Sequence, residues 1–170
     1  MYTISDTMHV SAPMERCFLL STSIELVRET LGMRPVSGRT AGLLGPQDHI
    51  TWYGWKLGLP QLHESSITAY DRPHFFQDTM ERGKFKRFQH DHHLAEIGAH
   101  TVLSDKIRFS LPLGLVGDAV AKHLIVPYLA RLLRRRLVLL KRVAESQEWR
   151  KYLPEQTAVE LQAQGSSAKM

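Results

Sequence analysis

The chain has 170 residues, 43% hydrophobic and 23% charged, with a formal net charge of +5. That length builds one sizeable core, and no run approaches the ~18–20 apolar residues a membrane span needs. Cys17 is the single cysteine, which excludes an internal disulfide and a cysteine metal cluster and fits a reducing, cytoplasmic setting.

The opening stretch MYTISDTMHV has no positive n-region and no long apolar segment, so a signal peptide is not expected. Residues 2–10 instead alternate. Tyr2, Ile4, Met8 and Val10 share one face and Thr3, Ser5, Thr7 and His9 the other, which predicts a half-buried strand. Ser11 is expected to cap a short helix with Pro13 in its first turn and Glu15 close behind. A second short helix follows and stops at Gly32.

From Met33 to Ser110 glycine and proline punctuate short runs rich in Thr, Val, Ile and aromatics. The connectors are short enough for hairpins, so an antiparallel meander is predicted. GLLG at 42–45 reads as a turn. The longest element runs from about Leu115 to Lys151. Its apolar positions pair as Leu124/Ile125, Tyr128/Leu129, Leu132/Leu133, Leu139/Leu140 and Val143/Ala144, a wide stripe along one amphipathic helix. Pro127 should kink that helix or delay its start. Residues 1–152 are expected to form one domain and residues 153–170 a frayed tail.

The positive charge is concentrated. Residues 131–151 hold Arg131, Arg134, Arg135, Arg136, Lys141, Arg142, Arg150 and Lys151 against Glu145 and Glu148. A basic helix can meet nucleic acid or an anionic membrane surface. A solvated helix face is the plainer reading. Nucleic acid is not expected, because there is no zinc finger, RNP-like aromatic motif or Arg/Gly arm. The oligomeric state is not readable.

The stretches ITWYGWKLGLPQ, SSITAYDRPHFFQDTMERGKF, FQHDHHLAE, TVLSDKIRFSLPLGLVGD and LLRRRLVLLKRVAE resemble bacterial cyclase/dehydrase-like proteins. These share the helix-grip fold with START lipid-transfer domains and the birch pollen allergen group. The resemblance covers about residues 1–148. It implies an α+β fold, a curved antiparallel sheet wrapped around a long C-terminal helix, with an apolar cavity between them. It also implies carriage of a small hydrophobic molecule (a polyketide, lipid or quinone-like compound), or cofactor-independent ring closure.

The segment FQHDHH at 88–93 places three histidines in four positions. On a strand, His90 and His92 share a face with Phe88 and Leu94, while Asp91 and His93 point away. Thr101, Leu103, Asp105, Ile107 and Phe109 form the matching face of the next strand. A four-residue turn at 97–100 sets His92 opposite Asp105, Leu94 opposite Leu103, His90 opposite Ile107 and Phe88 opposite Phe109. A slip by one residue would turn every side chain to the wrong face.

Three readings of this patch stand. His-x-His with a carboxylate opposite is a ligand spacing for a metal, though a fourth ligand is not evident. A carboxylate-held imidazole could instead abstract a proton in a cyclase or dehydratase, with His92 and Asp105 catalytic and His90 assisting. The third reading is a hydrogen-bonded polar anchor in an apolar pocket, with neither metal nor cofactor.

Arg136 interrupts the row Leu132–Arg136–Leu140; facing the sheet it needs an anion such as Asp105, Asp78 or a ligand carboxylate, and otherwise its head reaches water. Trp52, Ile67, Phe76 and Tyr128 are pocket walls or plain core. The expected ligand-binding set is therefore Trp52, Ile67, Phe76, Phe88, His90, His92, Leu103, Asp105, Ile107, Tyr128, Leu132 and Arg136. Binding of a small hydrophobic molecule is the leading expectation. Cyclase or dehydratase chemistry is the alternative, and an adaptor using the basic helix, with peripheral membrane contact, is the third.

Overall fold

The computed structural model describes residues 1–112 and 114–153. The expected tail from residue 154 onward lies outside the described residues, while Leu153 is packed in the core. Strand β1 (Tyr2–Val10) leads into helices α1 (Met14–Thr22) and α2 (Ile24–Leu31). Six strands follow: β2 (Arg34–Gly38), β3 (His49–Lys56), β4 (Leu59–Asp71), β5 (Phe75–Arg82), β6 (Arg87–Ile97) and β7 (His100–Ser110). They form one seven-stranded sheet in the order β1-β7-β6-β5-β4-β3-β2. Every neighbouring pair is antiparallel.

Turn chemistry explains the meander. Leu57 and Gly58 both take positive φ, 52° and 75°, which matches a type I′ turn between β3 and β4. Between β6 and β7 only Gly98 does, at 61°, as a type II′ turn requires. Strand β2 was not anticipated. Its sequence RPVSG is short, largely exposed and carries a proline, all of which suit an edge position and none of which gives an apolar alternation.

The C-terminal helix is built in three parts. Helix α3 (Gly114–Val120) passes through a π turn (Ala121–Ile125) into α4 (Val126–Glu145), and a 3₁₀ turn (Gln147–Lys151) follows. Within the π turn Val126 N–H donates to the carbonyl of Ala121, five residues back. Pro127 comes next and has no N–H to give, so the expected break is seen as this change of helical pitch. The wider turn puts its own residues out of phase with α4. Leu124, expected on the buried stripe, is therefore exposed.

The buried stripe of α4 is Leu129, Leu133, Leu137, Leu140, Val143 and Ala144. At its start the chain also corrects the expected cap of α1. Pro13 holds the N-cap position and Ser11 does not cap. The Ser11 hydroxyl pairs with His100 Nδ1 at 3.1 Å instead, and its backbone N–H donates to Glu145 at 2.7 Å, tying the end of β1 to the end of α4.

Two apolar clusters fill the space between helix and sheet. One gathers α1, α2 and the later turns of α4 around Phe18, Leu137 and Leu140. The other packs Ile107 and Phe109 of β7 against Leu129 and Leu133. Between them, on the inner face of the sheet, lies a set of polar side chains.

Candidate functional site

The β6–β7 register is the expected one: His92 faces Asp105, His90 faces Ile107, Leu94 faces Leu103 and Phe88 faces Phe109. On the other side of β6, Phe76 faces His92 and Asp78 faces His90. Two rows thus cross three strands on one face: Asp105–His92–Phe76 and Ile107–His90–Asp78. Two imidazoles and two carboxylates stand at the corners of one small patch.

The contacts are close. His92 Nδ1 lies 3.0 Å from Asp105 and its Nε2 lies 3.2 Å from Asp78. His90 Nε2 is 3.5 Å from Asp105, and its Nδ1 is 3.8 Å from Asp78. The two rings are 3.8 Å apart, centroid to centroid, and Phe76 stacks on His92 at 4.1 Å. Arg136 reaches in from α4, donating to Asp105 at 2.5 Å and to the carbonyl of Ser21 at 3.2 Å. Of the anions the sequence offers Arg136, the structure selects Asp105.

Burial alone would keep Asp105 protonated. The Arg136 guanidinium and the two histidines outweigh it and hold the carboxyl well below the usual carboxylate range. Burial also opposes ionisation of Asp78, but the hydrogen bond from His92 and the nearby imidazoles lower it. Burial pushes His90 below the usual imidazole value, and His92 adds to that against the pull of both acids. His63, on β4, is lowered by burial against the pull of Asp78.

Above the patch is a cavity of about 250 Å³ between the sheet, α2 and the C-terminal helix. Of the expected residues, Trp52, Ile67, Phe76, Phe88, His90, His92, Ile107, Tyr128, Leu132 and Arg136 line it. Leu103 does not. It lies in the first apolar cluster with Leu137 and Leu140, where the helix meets the sheet without a gap. Asp105 does not either, because His90, His92 and Arg136 cover it from the cavity side.

Asp78 and His63 belong to the wall, and the sequence reading did not place them there. Asp78 alternates with Phe76 along β5, a signal that was present. His63 lies on β4, whose pairing with β5 shifts between Glu64 and Ser65 and between Ile67 and Ala69, so period-two reading loses its phase there. Exposed Leu57 and Lys84 mark the rim.

On the outer face Asp91 is also buried. Arg108 pairs with it, and Gln77 and Gln89 each donate to it at 2.9 Å. His93 is exposed on that face beside Phe75.

Solved structures share this architecture. A protein from Thermus thermophilus superposes with a TM-score of 0.67 at 16% identity, over 83% of this chain and 95% of that one. A START superfamily protein from Mycobacterium smegmatis gives 0.57 at 14% identity, over 81% and 98%. The di-domain ARO/CYC protein BexL of the BE-7585A biosynthetic pathway gives 0.68 at 17% identity, over 85% of this chain and half of that one. No protein-family model matches the sequence, and no curated protein matches it. The chain has the helix-grip fold seen in these structures. At these identities the likeness carries the fold and leaves the ligand to the site itself. Among the described residues no helix is long and apolar enough to cross a membrane.

Proposed function

We propose that the protein binds a small, mainly apolar molecule in the cavity between sheet and helix, with a polar end toward His90, His92 and Asp78. One observation carries this reading: a mainly apolar cavity of about 250 Å³ ends on a built polar floor. Apolar walls favour the molecule by ~25 cal/mol per Å² buried, before association costs. The few convergent polar groups would fix its orientation. The volume lies just below the ~300–1,000 Å³ of drug-sized pockets, so one ring system or a short chain suits it better than an extended polyketide.

Binding is favoured over catalysis by the state of His92. A general base needs an open nitrogen, and both of its nitrogens face carboxylates. The adaptor reading is weakened by pairing within the basic segment. Arg134 meets Asp6, Arg136 meets Asp105, Lys141 meets Glu145 and Arg142 meets Glu148.

The test is an environment-sensitive fluorescent probe, with native mass spectrometry of the purified protein to catch any co-purified molecule. Ile67→Trp fills the cavity from β4. It should remove probe binding while unfolding stays cooperative. Unchanged probe affinity in that variant would overturn the reading.

A further inference from the structure

We propose that Asp78, His90 and His92 form a site for one divalent transition-metal ion at the floor of the cavity. All three line the cavity, and their donor atoms lie within 4.8 Å of one another. Asp78 on β5 faces His90 across the strand pair, and His92 is two residues further along β6 on the same face. His92 Nε2 and His90 Nδ1 both point at the same oxygen of Asp78, at 3.2 and 3.8 Å. Donors that share an ion at bond lengths of about 2.1 Å sit roughly 3.0–3.6 Å apart. A small shift of the His90 ring completes the arrangement.

The surroundings are those of a supported metal site. Each imidazole turns its other nitrogen toward Asp105, at 3.0 Å for His92 and 3.5 Å for His90. A carboxylate behind a coordinating imidazole fixes its tautomer and raises its basicity. Asp105 is itself held by Arg136, and Phe76 stacks on the His92 ring. Two histidines that only had to be satisfied in a core would need one partner each. Here a second carboxylate converges on them from the cavity side. His90 Nδ1, the nitrogen on the cavity side, meets Asp78 only at 3.8 Å, beyond hydrogen-bond distance.

Charge points the same way. Around the patch the permanent charges are Asp78, Asp105 and Arg136, a surplus of one negative charge when both imidazoles are neutral. A divalent ion held by the three donors would offset that surplus. Two imidazole nitrogens and one carboxylate suit Fe(II), Co(II) or Zn(II) better than Mg(II) or Ca(II). Three protein ligands on one side leave the opposite positions open to the cavity, so a fourth protein ligand is not required. The third ligand is Asp78 and not Asp105, which stands behind the histidines.

This ion would share the cavity proposed above for an apolar molecule. Its binding is measured with no organic ligand present, so the two readings fail separately. Protein stripped with EDTA is titrated with Co(II) at near-neutral pH and the visible absorption followed. The expected result is a band that saturates at one equivalent and is abolished by Zn(II). Asp78→Asn and His92→Gln should each weaken Co(II) binding by about 100-fold or more, and Asp105→Asn by about 10–100-fold. His93→Ala, on the outer face, should leave it unchanged. Cooperative unfolding is checked for each variant. Asp78 is only partly buried, so Asp78→Asn keeps the test decisive should His92→Gln fail to fold. No saturable band with the parent protein, or equal affinity in Asp78→Asn, would overturn the site.

Discussion

Replacing Arg136 by Met removes the cation that neutralises Asp105 while keeping the apolar stem. The two groups are 2.5 Å apart, with side-chain exposures of 12% and 3%. Charge centres ~4 Å apart at an effective dielectric constant of ~20 attract by about 4 kcal/mol. Breaking a buried pair by removing one partner costs about 3–5 kcal/mol. The hydrogen bond to the Ser21 carbonyl is lost as well. Against this, His90 and His92 remain beside Asp105 and compensate part of its charge. The expected loss is about 3 kcal/mol, read by equilibrium urea unfolding. Asp105→Asn should cost a similar amount, because it strands Arg136. The double variant should lose less than the sum by about 2 kcal/mol, since the two groups act on one another. A single-variant loss under about 1 kcal/mol, or additivity within about 0.5 kcal/mol, would refute the buried pair.

Leu137 is fully buried on α4, and Leu137→Ala should cost about 2–5 kcal/mol by the same assay. Burial pushes the Cys17 thiol up to about 12, so a disulfide-exchange reagent at mildly alkaline pH should label it only as the protein unfolds; fast labelling of the folded chain would contradict that burial. The raised thiol also sets a sign. Its contribution is intact below the unfolded value near 9.0 and is lost as pH rises toward 12, so Cys17→Ala should flatten the alkaline fall in stability. Glycine variants separate strain from clash. At Gly98 φ is 61° with open space around a Cβ, whereas at Gly38 φ is 75° and a Cβ would sit 2.1 Å from the carbonyl oxygen of His49. Gly98→Ala should cost about 1 kcal/mol and Gly38→Ala clearly more, in thermal unfolding.

The inner face of β6 and β7 was legible because two signals agree there. Both strands alternate without interruption, and the turn at Gly98 fixes a single register. That alternation and that turn set His92 against Asp105. Asp78 was within reach, since it alternates with Phe76 along β5; His63 escaped because the β4–β5 pair is bulged, and a bulge reverses which residues face inward. The line between closed core and cavity wall was not legible at all. Leu103 and Ile107 sit on the same face of one strand, and only the path of α4 above them decides which is covered by Leu137 and which looks into space. The cap of α1 was misjudged because the Ser11 hydroxyl pairs with His100 Nδ1 at 3.1 Å, a partner 89 residues away.

Strand β6 carries consecutive acidic commitments on opposite sides: Asp91 is clamped by Arg108 on the outside, and His92 engages Asp105 on the inside. A hairpin mispaired by one step would strand both carboxylates away from their partners in the same event. Such a decoy is penalised twice for one error, so the sheet itself polices the alignment that brings the imidazoles together.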